Sequence, residues 1–273
     1  MRAALVAEYR KFVTTRMWWV LLVTMCLYMA FLAAVMAFSF AQDPSGGGMG
    51  SLSGDDAQMT LSSLDIALGV YTLAPTLGYV FPLIIGSLSV TGEFRHMTIT
   101  PTLLAQPRRS VVLGAKLIAS LPIGFFYGLA GTVSTVAAGA AVLSLMGEEP
   151  MLTDPDVLRT LAYSVLALTI WGLVGVGFGA ALKNQVVSIV VVLAFTQLVE
   201  PILRVALGMI DAVQGVAKWL PGAAGEAITG SSLYSITGLN DLLPRWQGVL
   251  VLVAYGLVLA GIGRVTTFRR DIT

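Results

Sequence analysis

The chain has 273 residues, of which 56% are hydrophobic and 11% are charged, and its formal net charge is +1. An average soluble domain has about a quarter of its residues charged, and a soluble protein of this length could not bury so much apolar surface in one core. Composition therefore excludes an ordinary soluble domain, the near-zero charge gives no reason to expect nucleic-acid binding, and one cysteine with one histidine excludes an intrachain disulfide and a zinc cluster.

Residues 1–16 are predicted to form an amphipathic helix that lies in the membrane interface. Leu5, Val6, Tyr9, Phe12 and Val13 recur at helical spacing, and the charged residues fall elsewhere on the helical wheel. Such a helix buries its apolar face at the boundary between headgroups and acyl chains. A frayed extension of the first span is the alternative interpretation.

Six stretches are long and apolar enough to cross a bilayer, which takes about 20 residues per helix. They cover residues 17–41, 66–90, 111–145, 158–182, 186–210 and 248–265. The first is longer than the apolar region of a signal peptide, about 7–15 residues, and no clean cleavage site follows it. The predicted fold is therefore an all-α integral membrane protein with one transmembrane domain. The long third stretch is expected either to extend into the cytoplasm around Lys116 or to tilt in the bilayer.

Basic residues are concentrated on one side of this predicted topology. The side that holds the N-terminus has 12 of the 16 Lys and Arg residues but only 3 of the 15 acids. Lys and Arg resist translocation, so this side is predicted to be cytoplasmic. An even number of spans then places both termini in the cytoplasm of a multi-pass protein of the cell (plasma) membrane.

The cytoplasmic segment 91–109 between the second and third spans mixes apolar and charged residues and is flanked by Pro and Gly. Short helices of this composition commonly dock into a groove on a partner, although composition alone favours a plain interfacial loop equally. The candidate partner-binding residues are Glu93, Phe94, Arg95, Met97, Thr98, Leu103, Leu104, Pro107, Arg108 and Arg109.

Charges and glycines inside the apolar stretches indicate further contacts. Glu200 and Arg204 lie four residues apart in the fifth span and are predicted to form an intramembrane ion pair, either structural or lining a polar cavity. Residues 211–246 are too apolar for a free loop and too interrupted by Gly and Pro to span. Two GxxxG pairs, Gly124 with Gly128 and Gly175 with Gly179, favour close helix packing within the chain over a dimer contact.

The segment between the second and third spans resembles the ABC-2 type (type V exporter-like) permeases, which are membrane subunits of ATP-binding-cassette transporters. The resemblance is carried by the order Glu93, Arg95, Thr98, Leu103-Leu104, Pro107 and Arg109, followed by Lys116. It extends to the topology of the whole chain: an interfacial elbow helix, six spans and an interrupted outer segment before the last span. The family usually has Gly just before the Thr, where this chain has Met97.

The resemblance implies that segment 91–109 is a coupling helix held in a cleft of a separate nucleotide-binding subunit. Two copies of that ATPase would bind ATP and Mg, while this chain would bind no cofactor or metal and carry no catalytic residue. A second permease copy, or a similar permease, would complete a dimer. The substrate path would run between the second and fifth spans, and segment 211–246 would form an outer re-entrant hairpin. The expected activity is export of an amphipathic drug, antibiotic, lipid or peptide from a bacterial cell.

Three other functions are compatible with a polytopic membrane protein. An ATP-independent channel or secondary carrier would need paired ionisable groups at the midplane or inverted repeats, and the sequence has one such pair and no evident repeat. A membrane enzyme would need clustered acids or histidines. A sensor or immunity subunit would bind without transport. The absence of any Gly-Lys pair excludes a phosphate-binding P-loop in this chain.

Overall fold

A computed structural model describes residues 1–42, 61–208, 214–231 and 242–268, and within these ranges the chain is helical and contains no strand. The all-α class predicted from composition is confirmed. In chain order the helices are α1 (Arg2–Thr14), α2 (Met17–Gln42), α3 (Ser63–Tyr71), α4 (Leu73–Leu77), α5 (Val80–Arg95), α6 (Ile99–Ala105), α7 (Arg109–Met146), α8 (Pro155–Ala181), α9 (Gln185–Leu193), α10 (Glu200–Gly208), α11 (Gln214–Ala217), α12 (Pro221–Thr229) and α13 (Arg245–Thr266).

Six helical stretches of the described chain are long and apolar enough to cross a membrane, which agrees with the six predicted. They are Met17–Gln42, Ser63–Arg95, Arg109–Met146, Pro155–Ala181, Gln185–Leu207 and Arg245–Thr266. The second consists of α3, α4 and α5 in succession. Pro75 and Pro82 each lie in the first turn of α4 and α5, where a missing backbone N–H leaves no helical hydrogen bond unmade.

Helix α8 lies in the centre of the molecule and packs against α5, α7 and α13. Small residues bring these helices into close approach. A Cβ atom placed on Gly124 of α7 would lie 2.7 Å from the carbonyl oxygen of Thr169, and one on Gly179 of α8 would lie 2.5 Å from that of Ser87. Both GxxxG pairs therefore serve contacts within the chain, as predicted, because any side chain there would separate the helix backbones.

The fifth span is irregular and sits at the edge of the bundle. Between α9 and α10 the chain forms a π-helical turn, Ala194–Val199. Its Thr196 carbonyl oxygen accepts a hydrogen bond of 3.1 Å from the Tyr79 hydroxyl, and Gln197 donates to the same hydroxyl at 3.2 Å. Ser87 and Ser188 are hydrogen-bonded at 2.8 Å. These bonds attach the fifth span to the second within one chain.

Helix α12 is enclosed along its whole length, from Pro221 to Thr229, and packs against α13, α8 and α4. It ends at Gly230, whose φ of +79° is the left-handed conformation that glycine adopts without strain. Of the predicted outer segment 211–246, residues 211–213 and 232–241 lie outside the described residues, as do 209–210 of the predicted fifth span.

Candidate functional site

The segment that joins the second and third spans folds as a helix end, a tight turn and the short helix α6. Helix α5 ends at Arg95, and Met97 has a φ of +58°. The amide of Thr98 donates to the Glu93 carbonyl oxygen at 2.9 Å, and the amide of Met97 donates to that of Phe94 at 3.4 Å. These two bonds form a Schellman motif, which stops α5 and redirects the chain into α6.

Helix α6 is attached to the bundle by one face and exposes the other. Ile99 is 1% exposed, and Phe94 and Leu103 are half-buried against the same apolar cluster, where Phe94 meets the ring of Phe268 edge-on. Leu104, in contrast, is 79% exposed. Phe94 and Leu103, predicted to contact a partner, thus pack partly against the protein's own apolar cluster. Ile99, which sequence reasoning did not single out, anchors the short helix.

The remaining predicted partner-binding residues lie on or near the exposed side. Met97 is 67% exposed, and Thr98, Pro107 and Arg108 are also exposed. Two arginines instead tie the segment to neighbouring spans. Arg95 donates to the Gln185 side chain at 3.2 Å, and Arg109 donates to the backbone carbonyl oxygen of Phe268.

Next to α6, four charged side chains from three helices form a largely buried cluster, which we name the cytoplasmic-side cluster after the orientation that the sequence predicts. Its members are Glu8 and Lys11 of α1, Glu93 of α5 and Lys116 of α7. The Nζ atom of Lys116 lies 2.9 Å from Glu8 Oε2 and 2.7 Å from Glu93 Oε1, and that of Lys11 lies 3.0 Å from Glu8 Oε1 and 2.6 Å from Glu93 Oε1.

Both lysines use all three of their N–H donors within this region. Lys116 also donates to the Ser89 carbonyl oxygen at 2.7 Å, and Lys11 to the Thr102 hydroxyl at 3.3 Å. Burial by itself would lower the pKa of Lys11, but hydrogen bonding to Glu93 and the charges of Glu8 and Glu93 outweigh it, so the pKa is raised above its ordinary value. Lys11 therefore stays cationic at neutral pH and loses its charge only under strongly alkaline conditions.

One sequence-based expectation about this region is corrected. Glu8, expected away from the apolar face of α1, is buried beside the half-buried Leu5 and Phe12 on the protein-facing side, whereas Tyr9 is exposed. Lys116, near the start of the long third span, is enclosed by protein. The sequence spacing indicates the burial of Glu8, because this residue lies three positions after Leu5 and four before Phe12 and therefore shares their face of the helix.

A second buried charge cluster, which we name the α10–α12 cluster, contains the predicted pair of Glu200 and Arg204. Arg204 Nη2 lies 2.8 Å from Glu200 Oε1, so the predicted pair is present. Arg204 Nη1 also lies 2.9 Å from Glu226 Oε1, and the amide of Ala223 donates to Glu200 Oε1 at 3.1 Å. Sequence reasoning missed Glu226, because the fold of α12 and not its spacing brings it to Arg204.

The α10–α12 cluster attaches the fifth span to α12 by charge-assisted hydrogen bonds in an enclosed environment. Such an arrangement holds two elements in one relative position, since separating them would leave charges buried without partners. Gly222 permits the contact: a Cβ atom there would lie 2.5 Å from both Glu200 Oε1 and Arg204 Nη2. Within the described ranges no three His, Cys, Asp or Glu side chains are grouped so that they could hold a metal ion.

No protein-family model matches the sequence of this chain, and no functionally characterised protein gives a significant match. The resemblance to ABC-2 permeases therefore stays a prediction.

Proposed function

We propose that this chain is the permease subunit of an ATP-driven exporter of the ABC-2 type. The observation that carries the proposal is the construction of segment 91–109. The turn before α6 and α6 itself each present one exposed apolar side chain, Met97 and Leu104, while the other face of α6 is anchored to the ends of the spans. Apolar side chains on an exposed helix next to basic residues favour a protein partner over solvent.

The partner in this proposal is an ATP-binding-cassette ATPase, present in two copies, which binds ATP and Mg and carries out the hydrolysis. The cytoplasmic-side cluster supports a mechanical role for the contact. Because Glu93 is bonded to Lys116 and Lys11, a force applied to α6 is transmitted to α5, α7 and α1 together. Closure of the ATPase dimer would then reorient the second and third spans.

The remaining elements take the following places in the proposal. Helix α1 lies in the cytoplasmic interface as an elbow, with its exposed Val6, Tyr9 and Val13 toward lipid, and both termini face the cytoplasm of a bacterial cell. Helix α12 belongs to an outer hairpin that closes the far end of the pathway. A second permease subunit, identical or similar, provides the other wall of a path between the second and fifth spans, whose apolar lining suits an amphipathic substrate.

Substituting the exposed leucine of α6 tests the partner contact. Leu104→Asp should lower retention of the ATPase during affinity purification at least about tenfold, since it places a charge in an apolar contact. The measurement is the ratio of ATPase to permease in the purified complex, together with ATP-dependent transport in proteoliposomes. Leu145→Asp is the matched control, because Leu145 is 85% exposed at the opposite end of α7.

The control variant should retain the ATPase at the level of the unmodified chain. Retention by Leu104→Asp equal to that of the control, with transport unchanged, would contradict the proposal. So would purification from the native host without any ATP-binding-cassette ATPase.

A carrier driven by an ion gradient is the second candidate, and the α10–α12 cluster favours it. Ionisable groups enclosed within membrane spans often mark ion or proton pathways, and Glu200, Arg204 and Glu226 are all buried. Transport by the isolated chain that follows an imposed proton gradient and needs no ATPase would support the carrier over the exporter.

A further inference from the structure

A cavity lies beside the cytoplasmic-side cluster and is not used by the proposed coupling contact. It has a volume of about 410 Å³ and is bounded by α1, the start of α2, α5 and α7. Cavities of about 300–1,000 Å³ accommodate ligands of drug size. Its apolar walls include Phe12, Ile85, Leu88, Ala119 and Ile123.

All four charged residues of the cytoplasmic-side cluster line this cavity. The cluster has two positive and two negative charges, but its hydrogen-bond donors and acceptors are not equally satisfied. The three N–H donors of Lys116 are taken by Glu8, Glu93 and the Ser89 carbonyl oxygen, and those of Lys11 are also occupied. A lysine ammonium has no further donor to offer, so an anionic ligand would find none on either lysine.

The unsatisfied atom of the cluster is an acceptor. Glu93 is 6% exposed, and its Oε2 atom is buried without a hydrogen-bond partner among the described residues, while Oε1 accepts from both lysines. A buried carboxylate oxygen without a donor is unfavourable by the desolvation free energy of that group. A ligand that completes the cluster must therefore donate a hydrogen bond.

We infer that the cavity binds an amphipathic molecule whose polar end is a primary ammonium group. The N–H of the ammonium donates to the free oxygen of Glu93, and the apolar chain of the molecule occupies the apolar walls. Hydrogen bonds in which the donor or the acceptor is ionised are about twice as strong as those between neutral groups. A quaternary ammonium group has no N–H and therefore cannot donate this hydrogen bond. The inference concerns this chain alone and does not depend on the proposed exporter function.

Two sources supply this chemistry: a membrane lipid with an aminoethyl phosphate headgroup, or a single-chain hydrophobic amine of the kind an exporter could carry. Two matched pairs of probes separate them. The first pair is phosphatidylethanolamine and phosphatidylcholine with identical acyl chains. The second is dodecylamine and dodecyltrimethylammonium, which share chain and charge but differ in N–H groups. Native mass spectrometry of the full chain in non-ionic micelles measures the bound fraction of each probe.

We expect the primary ammonium member of at least one pair to bind about tenfold more tightly than its quaternary partner. A preference in the lipid pair alone assigns the site to membrane lipid, and a preference that includes dodecylamine assigns it to hydrophobic amines. Glu93→Gln should abolish the preference. Equal binding within both pairs, or a preference that persists in Glu93→Gln, would overturn the inference.

A second pair of variants tests the cavity without altering any charge. Gly92 lines the cavity, and a Cβ atom placed on it meets nothing within 4 Å. Gly92→Leu should therefore fill the space and reduce binding at least tenfold. Gly261→Leu is the control, because Gly261 lies outside the cavity lining and a Cβ atom on it also meets nothing within 4 Å, so this variant should bind as the unmodified chain does. Unchanged binding by a folded Gly92→Leu variant would place the ligand elsewhere. Because no ATPase is present, this result is independent of the partner test on Leu104.

Discussion

Met97 joins α5 to α6 in the left-handed backbone region, with a φ of +58°. An L-residue in this region is disfavoured by about 1–2 kcal/mol, because its Cβ atom crowds the following carbonyl oxygen. The ABC-2 permeases that the segment resembles usually have glycine here. Glycine would adopt this conformation without strain. In this chain, the hydrogen bonds of the Schellman motif to Glu93 and Phe94 hold Met97 in that conformation.

Met97→Gly is expected to stabilise the protein by about 0.5–1 kcal/mol, the relief of the left-handed strain less the greater flexibility of glycine in the unfolded chain. Little packing is lost, because Met97 is 67% exposed. The free energy of unfolding in mixed micelles measures the change. Met97→Val should shift it in the opposite direction, since a β-branched side chain tolerates this conformation least. A destabilised glycine variant would show that the methionine side chain itself holds the turn.

Lys116 is the residue whose removal should affect stability most. Lys116→Met leaves Glu8 and Glu93 buried with Lys11 as their remaining cation, and breaking a buried ion pair from one side destabilises by about 3–5 kcal/mol. The same unfolding measurement applies. Glu8→Gln combined with Lys116→Met should be more stable than Lys116→Met alone, because one unpaired carboxylate is removed. Strictly additive effects of the two substitutions would show that the cluster is not coupled.

At the scale of elements, two short helices differ in how they are held. Helix α6 is fixed by Ile99 and by half-buried Phe94 and Leu103, and it leaves Leu104 exposed. Helix α12 is enclosed on all sides and is bonded through Glu226 to Arg204 of α10. An exposed anchored helix is suited to contact with a partner. An enclosed one is suited to fixing the relative position of its neighbours.

The close approach of α12 to α10 leads to a prediction about Gly222. Gly222→Ala places a methyl group 2.5 Å from Glu200 Oε1 and Arg204 Nη2, so it should separate the ion pair and lower the free energy of unfolding by about 1–3 kcal/mol. Gly215→Ala is the control, because a Cβ atom on that exposed glycine meets nothing within 4 Å. Thermal unfolding in micelles measures the stability of both variants. Equal stability would show that α12 can move away from α10 without penalty.

At the scale of the whole molecule, the long helix α7 separates the two ends of the protein. Its 38 residues extend for about 57 Å at 1.5 Å per residue, well beyond a hydrocarbon core of about 30 Å. The predicted orientation places α6 and the cytoplasmic-side cluster inside the cell and the far end of α7 outside. This orientation follows from the distribution of Lys and Arg.

Cysteine labelling tests the orientation directly. The single native cysteine, Cys26, is removed as Cys26→Ala, and Leu104→Cys or Leu145→Cys is then introduced at side chains that are 79% and 85% exposed. A membrane-impermeant maleimide added to intact cells should label the variant at 145, and should label the variant at 104 only after the membrane is permeabilised. The reverse pattern would place α6 outside the cell and remove the proposed contact with an ATPase.

Part of this architecture could be read from local properties of the chain. The extent of each apolar run predicts α2, α7, α8 and α13 to within a few residues of their observed ends, because membrane-spanning helices are defined by length and hydropathy. The spacing of Glu200 and Arg204 predicts their contact, because residues four apart on one helix share a face. The sites that depend on two or more helices could not be predicted in this way.

By itself, the sequence determined the all-α membrane class of this protein and the six apolar stretches that are helical in the described part of the chain, because length and hydropathy are local properties. Only the tertiary structure decided that Lys116 meets Glu8, 108 positions away, and that Glu226 joins Arg204. The physical reason is that a buried charge needs a partner but its position in the chain does not say which helix will provide one. That choice is made by the packing of small residues that lets particular helix faces meet.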